Sequence, residues 1–174
     1  MVRLHLPYDE GDLDRLEVGK EVLIDGVLHV GRDQVHRRLC DMIARGEEPP
    51  FDFTGHGIYY MGPSPAPKGH VIGAAGPTTS ARMDPYSPTL VAHGLRLMVG
   101  KGPRSQEVVD ACRIHHGAYL YAYGGCGALY SSVIRSVRTV AFPEFGPEAL
   151  LELHVVDFPA ICMIDSLGRV YGSR

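Results

Sequence analysis

Three short stretches set a basic side chain or a run of hydroxyls beside glycine: Gly31-Arg32-Asp33, Gly76-Pro77-Thr78-Thr79-Ser80-Ala81-Arg82 and Gly100-Lys101-Gly102. Guanidinium forks grip a carboxylate or phosphate in two places, a lysine adds a mobile point charge, and short hydroxyls supply directed hydrogen bonds. Arg32, Arg82, Lys101, Thr78 and Thr79 make up such a set, and glycine lets backbone N–H groups approach a ligand. Read separately, the same stretches are also compatible with surface cations beside turns and a Thr-Thr-Ser run that caps a helix. His36, four residues beyond Arg32, is placed to orient that arginine or to touch a ligand, and Asp33 follows Arg32 directly. Several other chemistries find no support. GAAGPTTSAR does not have the spacing of a phosphate-binding P-loop, no GxGxxG follows a strand, no GxSxG elbow occurs, and no carboxylate pair suggests glycoside hydrolysis. Cys40, Cys112, Cys126 and Cys162 are scattered without a Cys-x-x-Cys pair, so neither a zinc ribbon nor a redox pair is expected. His115-His116 lacks companion ligands and reads as a helix end.

These groups must be positioned by one core. The chain has 174 residues, 45% of them apolar, with a formal charge of -3 from 17 basic and 20 acidic side chains. That length suits a single domain over residues 1–174. The near-neutral balance gives no broad attraction to nucleic acid or anionic membrane, and no apolar run is long enough to span a bilayer. The opening MVRLHLPYDEGD meets acid before any apolar stretch develops, so a cytoplasmic location is the expectation.

Along the chain, residues 4–16 are expected to form an entry strand or arm, and 21–30 a hairpin turning at Asp25-Gly26. A helix from Asp33 should bury Val35, Leu39, Met42 and Ile43 and stop before Gly46. Strands are expected at 58–61 and 70–74 and a helix over 88–98. Ser105 should cap a third helix carrying Val108, Val109 and Cys112. A strand at 118–123, a short helix at 128–136, strands at 137–142, 151–156 and 160–165, and a last strand at 169–171 complete the pattern. Tyr59, Tyr60, Tyr119, Tyr121, Tyr123 and Tyr130 are expected to pack. Together these predict an α/β domain with a mixed sheet.

The combination of Gly31-Arg32-Asp33 with His36, IYYMGPSPAPKG at 58–69, VIGAAGPTTSARMDPY at 71–86, GKG at 100–102, GG at 124–125, VAFPEFGPEA at 140–149 and DFPAICMIDSLG at 157–168 resembles the β subunit, or C-terminal domain, of class I iron–sulphur hydro-lyases, the fumarate hydratases and L(+)-tartrate dehydratases. The resemblance covers roughly residues 10–172. It implies a single swivelling β/β/α domain and a separate cluster-bearing α subunit, in a heterodimer or heterotetramer. The [4Fe–4S] cluster would be held by that partner, with none bound by this chain, and the isolated chain could form a β homodimer. By motif position, Arg32, Arg82 and Lys101 would bind substrate carboxylates, Thr78 would take the proton from carbon, and Thr79 would hydrogen-bond the substrate, with His36 and Asp33 in support. The implied reaction is reversible hydration of a small hydroxy-dicarboxylate, malate/fumarate first, with L-tartrate or a methylmalate as alternatives. A stand-alone anion-binding module without catalysis is a further alternative. Two departures bear on the substrate: Ala81 stands where the family form has glycine, and PAPKG alters a neighbouring loop.

Overall fold

The computed structural model describes residues 1–173. Five strands run parallel in the order β1 (Val2–Leu6), β2 (Glu21–Val30), β3 (Gly57–Tyr59), β4 (Leu97–Gly100) and β5 (Ala118–Tyr121). Two antiparallel strands, β6 (Ile134–Ala141) and β7 (Leu150–Ile164), complete a mixed sheet. Because β7 pairs with both β5 and β2, the pairings β2-β3-β4-β5-β7 return to β2 and the sheet closes on itself. Helices α1 (Asp33–Ala44), α2 (Ser87–Ala92) and α3 (Gln106–His115) follow β2, β3 and β4, and α4 (Gly127–Ser132) follows β5.

The two-residue alternation of the strands separates two cores. Tyr59, Leu97, Val99 and Leu120 face inward, against Leu4, Ile24, Leu28 and Phe158. The intervening Ile58, Tyr60, Met98 and Tyr119 point the other way and pack with Val35, Leu39, Leu90, Val108 and Cys112 of the helices. The expected α1 and α3 are present. Ser105 caps α3, its hydroxyl accepting from the Val108 amide at 3.4 Å, and α3 ends at His115.

Several local expectations give way to tertiary pairing. Residues 21–30 form one strand, not a hairpin. Asp25-Gly26 makes a bulge in it, with the register shifting between Ile24 and Gly26. Gly26 has φ +104, and a Cβ there would lie 2.1 Å from the Leu6 carbonyl oxygen, so the neighbouring β1 leaves no room for a side chain. Asp25 accepts from Arg3 at 2.6 Å and from the Asp157 amide at 2.8 Å, tying three strands at the bulge. Residues 151–156 and 160–165, expected as separate strands, merge into the 15-residue β7, with Asp157 at φ 58 opposite the bulge. The expected helix over 88–98 ends at Ala92. Gly94 (φ +109) turns the chain, and Leu97 and Met98 join β4 because parallel partners on both sides claim them. Residues 70–74 are loop, 128–136 divides between α4 and the start of β6, and 169–171 contributes only the Ile164–Val170 bridge.

Candidate functional site

Gly31-Arg32-Asp33 and Gly100-Lys101-Gly102 lie at the carboxyl ends of β2 and β4, and the 76–82 stretch returns to the carboxyl end of β3 from the loop that follows it, the edge at which parallel α/β sheets gather ligand sites. Arg32 follows β2 after the buried Gly31 and occupies the residue before α1, with Asp33 in its first turn. The Thr78–Ser80 segment is fastened between two strand ends. The Thr78 amide donates to the Tyr60 carbonyl at 2.7 Å, Thr79 bridges Lys101 in parallel, and the Ser80 amide donates to the Lys101 carbonyl at 2.9 Å. Arg82 lies on the short 3-10 turn Ser80–Met83, with Nη2 3.0 Å from Asp33 Oδ2. Lys101 follows β4 directly, and a Cβ on Gly124, from the Gly-Gly pair beyond β5, would sit 3.6 Å from Lys101 Cδ. The fold thus joins Asp33 to Arg82, and Thr79 to Lys101.

Two polar atoms at this edge are buried and unpartnered. Arg32 Nε has no hydrogen bond, its nearest carboxylate being Glu148 Oε1 at 3.6 Å. Asp33 Oδ1 is likewise unpaired, while its other oxygen meets Arg82. A buried donor on a cation without an acceptor is costly, and an incoming carboxylate would satisfy it. Lys101 has no ion pair among the described residues. The arrangement therefore gathers two guanidinium groups, one ammonium group and two hydroxyls, all half-buried or exposed, at this end of the sheet.

His36 braces this site from behind. Its side chain is fully buried, packed edge-on to Tyr60, with Nδ1 2.7 Å from the Arg32 carbonyl oxygen. Burial pushes its pKa down to about 4, a shift reinforced by Arg104 and partly opposed by the Arg32 carbonyl and Asp33. The ring is therefore neutral at ordinary pH and donates through Nδ1, holding the Arg32 backbone without facing the open side.

Residues that sequence reasoning missed lie close by. A Cβ at Gly62 would meet the Arg32 guanidinium carbon at 2.4 Å, so this glycine provides the space in which Arg32 lies. Its one signal was the Gly-Pro at the start of the irregular loop. Glu148 faces Arg32 and accepts from Gln34 at 2.7 Å. Arg104 has a fully buried side chain, held by Asp84 at 2.7 Å and Ser87 at 2.8 Å. Of the tyrosines, 59, 60, 119 and 130 are buried as expected, while 121 and 123 are half-buried. A cavity of about 380 Å³ lies at the other end of the strands, between Tyr8, Asp14, Arg96 and His116, away from every residue of this set.

The two fully buried cysteines are poorly placed as ligands of an iron–sulphur cluster. Cys112 and Cys162 are fully buried, and burial pushes both thiols up to about 12, whereas cluster ligands are thiolates. Among the described residues no three His, Cys, Asp or Glu side chains gather as a metal-holding group.

The sequence has relatives among known proteins. The chain belongs to the family described as Fumarase C-terminus, whose model matches residues 1–172. It is 41% identical over 172 residues to the anaerobic class I fumarate hydratase of Escherichia coli (strain K12), spanning 97% of this chain and 31% of that protein. Fumarate hydratase 2 of Leishmania major is 39% identical over 172 residues, with 97% and 30% covered. A Methanocaldococcus jannaschii protein provisionally named L(+)-tartrate dehydratase subunit beta is 35% identical over 164 residues, with 91% and 84% covered. These relatives are hydro-lyases by name, enzymes that add or remove water. The chain spans less than a third of the length of the fumarate hydratases and most of the length of the β subunit.

Proposed function

We infer that this chain is the substrate-binding β-type part of a hydro-lyase that hydrates and dehydrates a small hydroxy-dicarboxylate, malate/fumarate first. The observation that carries this reading is the convergence of Arg32, Arg82 and Lys101 with Thr78 and Thr79 at one strand edge, with Arg32 Nε left without an acceptor. Dehydration removes a proton from one carbon and hydroxide from its neighbour. The cations bind the two carboxylates and stabilise the charge that builds on the carboxylate beside the deprotonated carbon. Thr78, its backbone pinned to Tyr60, stands to take or relay the carbon proton, and Thr79 to hydrogen-bond the substrate. A threonine hydroxyl is a weak base, so this role requires a dry site crowded with positive charge. No group described in this chain is assigned to the departing hydroxide. The reading places that half of the chemistry with a partner bearing a [4Fe–4S] cluster, in a heterodimer or heterotetramer in the cytoplasm. The half-buried and exposed state of these side chains suits closure against such a partner. A tartrate substrate is the second reading, favoured by the 35% identity to the M. jannaschii protein.

The test is co-expression with the cluster-bearing partner, anaerobic reconstitution, and assay of malate, tartrate and methylmalates, with each chain alone as control. Turnover is expected only in the mixture. A complex with an intact cluster that turns over none of these acids would overturn the reading and leave an anion-binding module. In the active complex, Thr78→Ala should lower kcat far more than it weakens substrate binding. Equal losses would make Thr78 a binding residue.

A further inference from the structure

One buried hydroxyl joins the backbones that carry the candidate groups. Tyr119, in β5, is 1% exposed and points into the helix-side core. Its hydroxyl oxygen lies 2.8 Å from Ser80 Oγ and 2.8 Å from the Gly102 carbonyl oxygen. A carbonyl only accepts, so the Tyr119 proton goes to Gly102 and Ser80 must donate to Tyr119. The chain of donors therefore runs one way, Ser80 to Tyr119 to Gly102. Ser80 immediately follows Thr78-Thr79, and Gly102, at φ +84, immediately follows Lys101. The backbone pairs Thr79–Lys101 and Ser80–Lys101 hold the same two stretches side by side, and the tyrosine closes the third corner.

The ring that carries this hydroxyl is itself clamped. The Arg104 guanidinium carbon lies 4.8 Å from the Tyr119 ring centroid and 5.2 Å from that of Tyr60. Its nitrogens donate to Asp84 at 2.7 Å, to Ser87 at 2.8 Å and to the Tyr60 hydroxyl at 3.2 Å. Asp84 also accepts from the Ser105 amide at 2.9 Å, so the cation ties the segment after Arg82 to the start of α3. There is no slack around these groups, since a Cβ at Gly100 would lie 2.1 Å from Ser80 Oγ and 2.6 Å from Tyr60 Cδ2. Burial raises the ionisation of the Tyr119 hydroxyl well above the ordinary phenol range, and it stays a donor at any working pH.

The geometry points to Tyr119 as a positioning residue for the site: through Ser80 and Gly102 it sets the separation of the Thr78–Thr79 hydroxyls from the Lys101 ammonium group. It touches no substrate. The assignment deepens the proposed dicarboxylate site and rests on it. Tyr119→Phe keeps the ring, its burial and its stacking on Arg104, but leaves the Gly102 carbonyl and the Ser80 hydroxyl unpaired. Ser80→Ala removes one donor and leaves the Tyr119–Gly102 bond intact. A positioning role therefore predicts unequal effects from two small changes at the same spot.

The experiment is kinetics of the assembled complex, with thermal melts and amide NMR spectra of the chain. Tyr119→Phe should lower kcat about tenfold with a cooperative melt and a smaller change in KM, because reacting groups displaced by a fraction of an ångström lose rate before affinity. Ser80→Ala should cost about threefold. Amide resonances of Thr79, Lys101 and Gly102 should move in Tyr119→Phe. Wild-type kcat in Tyr119→Phe, a loss matched by the unfolded fraction, or equal losses in the two variants would each overturn the assignment. If Tyr119→Phe does not fold, Ser80→Ala carries the test, and an unchanged kcat with unmoved Thr79 and Lys101 amides overturns it. A wild-type complex with an intact cluster and no turnover would sink the proposed function alone. The amide shifts would then still decide whether Tyr119 ties the two stretches together.

Discussion

Acid should weaken this fold through two buried imidazoles. His36 and His29 are 0% and 2% exposed, and both have pKa values pushed down to about 4. Desolvation is the main cause in each. For His29, His56 and Arg138 add to the shift while Glu152, 3.8 Å from Nε2, opposes it. The His29 ring stacks on Phe51 at 3.9 Å, and its Nδ1 has no partner. In the unfolded chain a histidine titrates near 6.5, so between about pH 4 and 6.5 the unfolded state binds protons that the folded state refuses. Stability is then full above pH 6.5 and is lost as pH falls towards 4. Well inside the window each histidine contributes a slope of about 1.4 kcal/mol per pH unit, so the pair gives roughly 2.7 kcal/mol per pH unit. Over the whole window the loss is on the order of 3 kcal/mol per histidine, a large part of the stability of an ordinary domain. Asp14 and Asp25, whose pKa values are lowered from 3.8, act only below this range. The assay is urea unfolding in steps from pH 4.5 to 7 at constant ionic strength, with wild type, His29→Phe, His36→Leu and the double variant. The single variants should keep about half of the slope and the double variant almost none, whatever their offset in stability. A flat wild-type profile between pH 4.5 and 6, or a full slope in the double variant, would refute the argument.

Two further outcomes follow from the site. Arg32→Lys keeps the charge but loses the planar fork and should weaken dicarboxylate binding about 10–100-fold, measured by calorimetry on the assembled complex; unchanged affinity would remove Arg32 from the site. Two glycine substitutions should separate function from folding. Gly62→Ala meets the movable end of Arg32 and should cost under about 1 kcal/mol of stability while weakening the ligand about tenfold. Gly100→Ala meets Ser80 and the Tyr60 ring and should cost about 2–4 kcal/mol in urea unfolding. Similar stability losses from both would show that Arg32 does not need the space at Gly62.

Local pattern was enough wherever the determining contacts lie within a turn or two of the chain. The apolar stripe of α1, the Ser105 cap and the period-two strands β3 and β5 are of this kind, as is the pairing of glycine with cation or hydroxyl in the three loops. The resemblance carried further, because its motifs span most of the chain and the family match covers residues 1–172. Asp25-Gly26 shows where local pattern stops. The dipeptide suits a tight turn, but β1 and β7 flank it, and Arg3 and Asp157 take up its carboxylate, so it became a bulge in a continuous strand. Leu97 and Met98 left the expected helix for the same reason, since parallel neighbours 40 residues back and 21 residues ahead claim their backbone. At the site, the sequence by itself determined which ionic and hydroxyl groups are available. Tertiary structure decided that Gly62 makes room for the Arg32 guanidinium, and that Tyr119 and Arg104 tie the loops from below. These contacts join residues far apart in the chain, and burial and distance between such residues are properties of the closed sheet, with no periodicity or spacing to announce them.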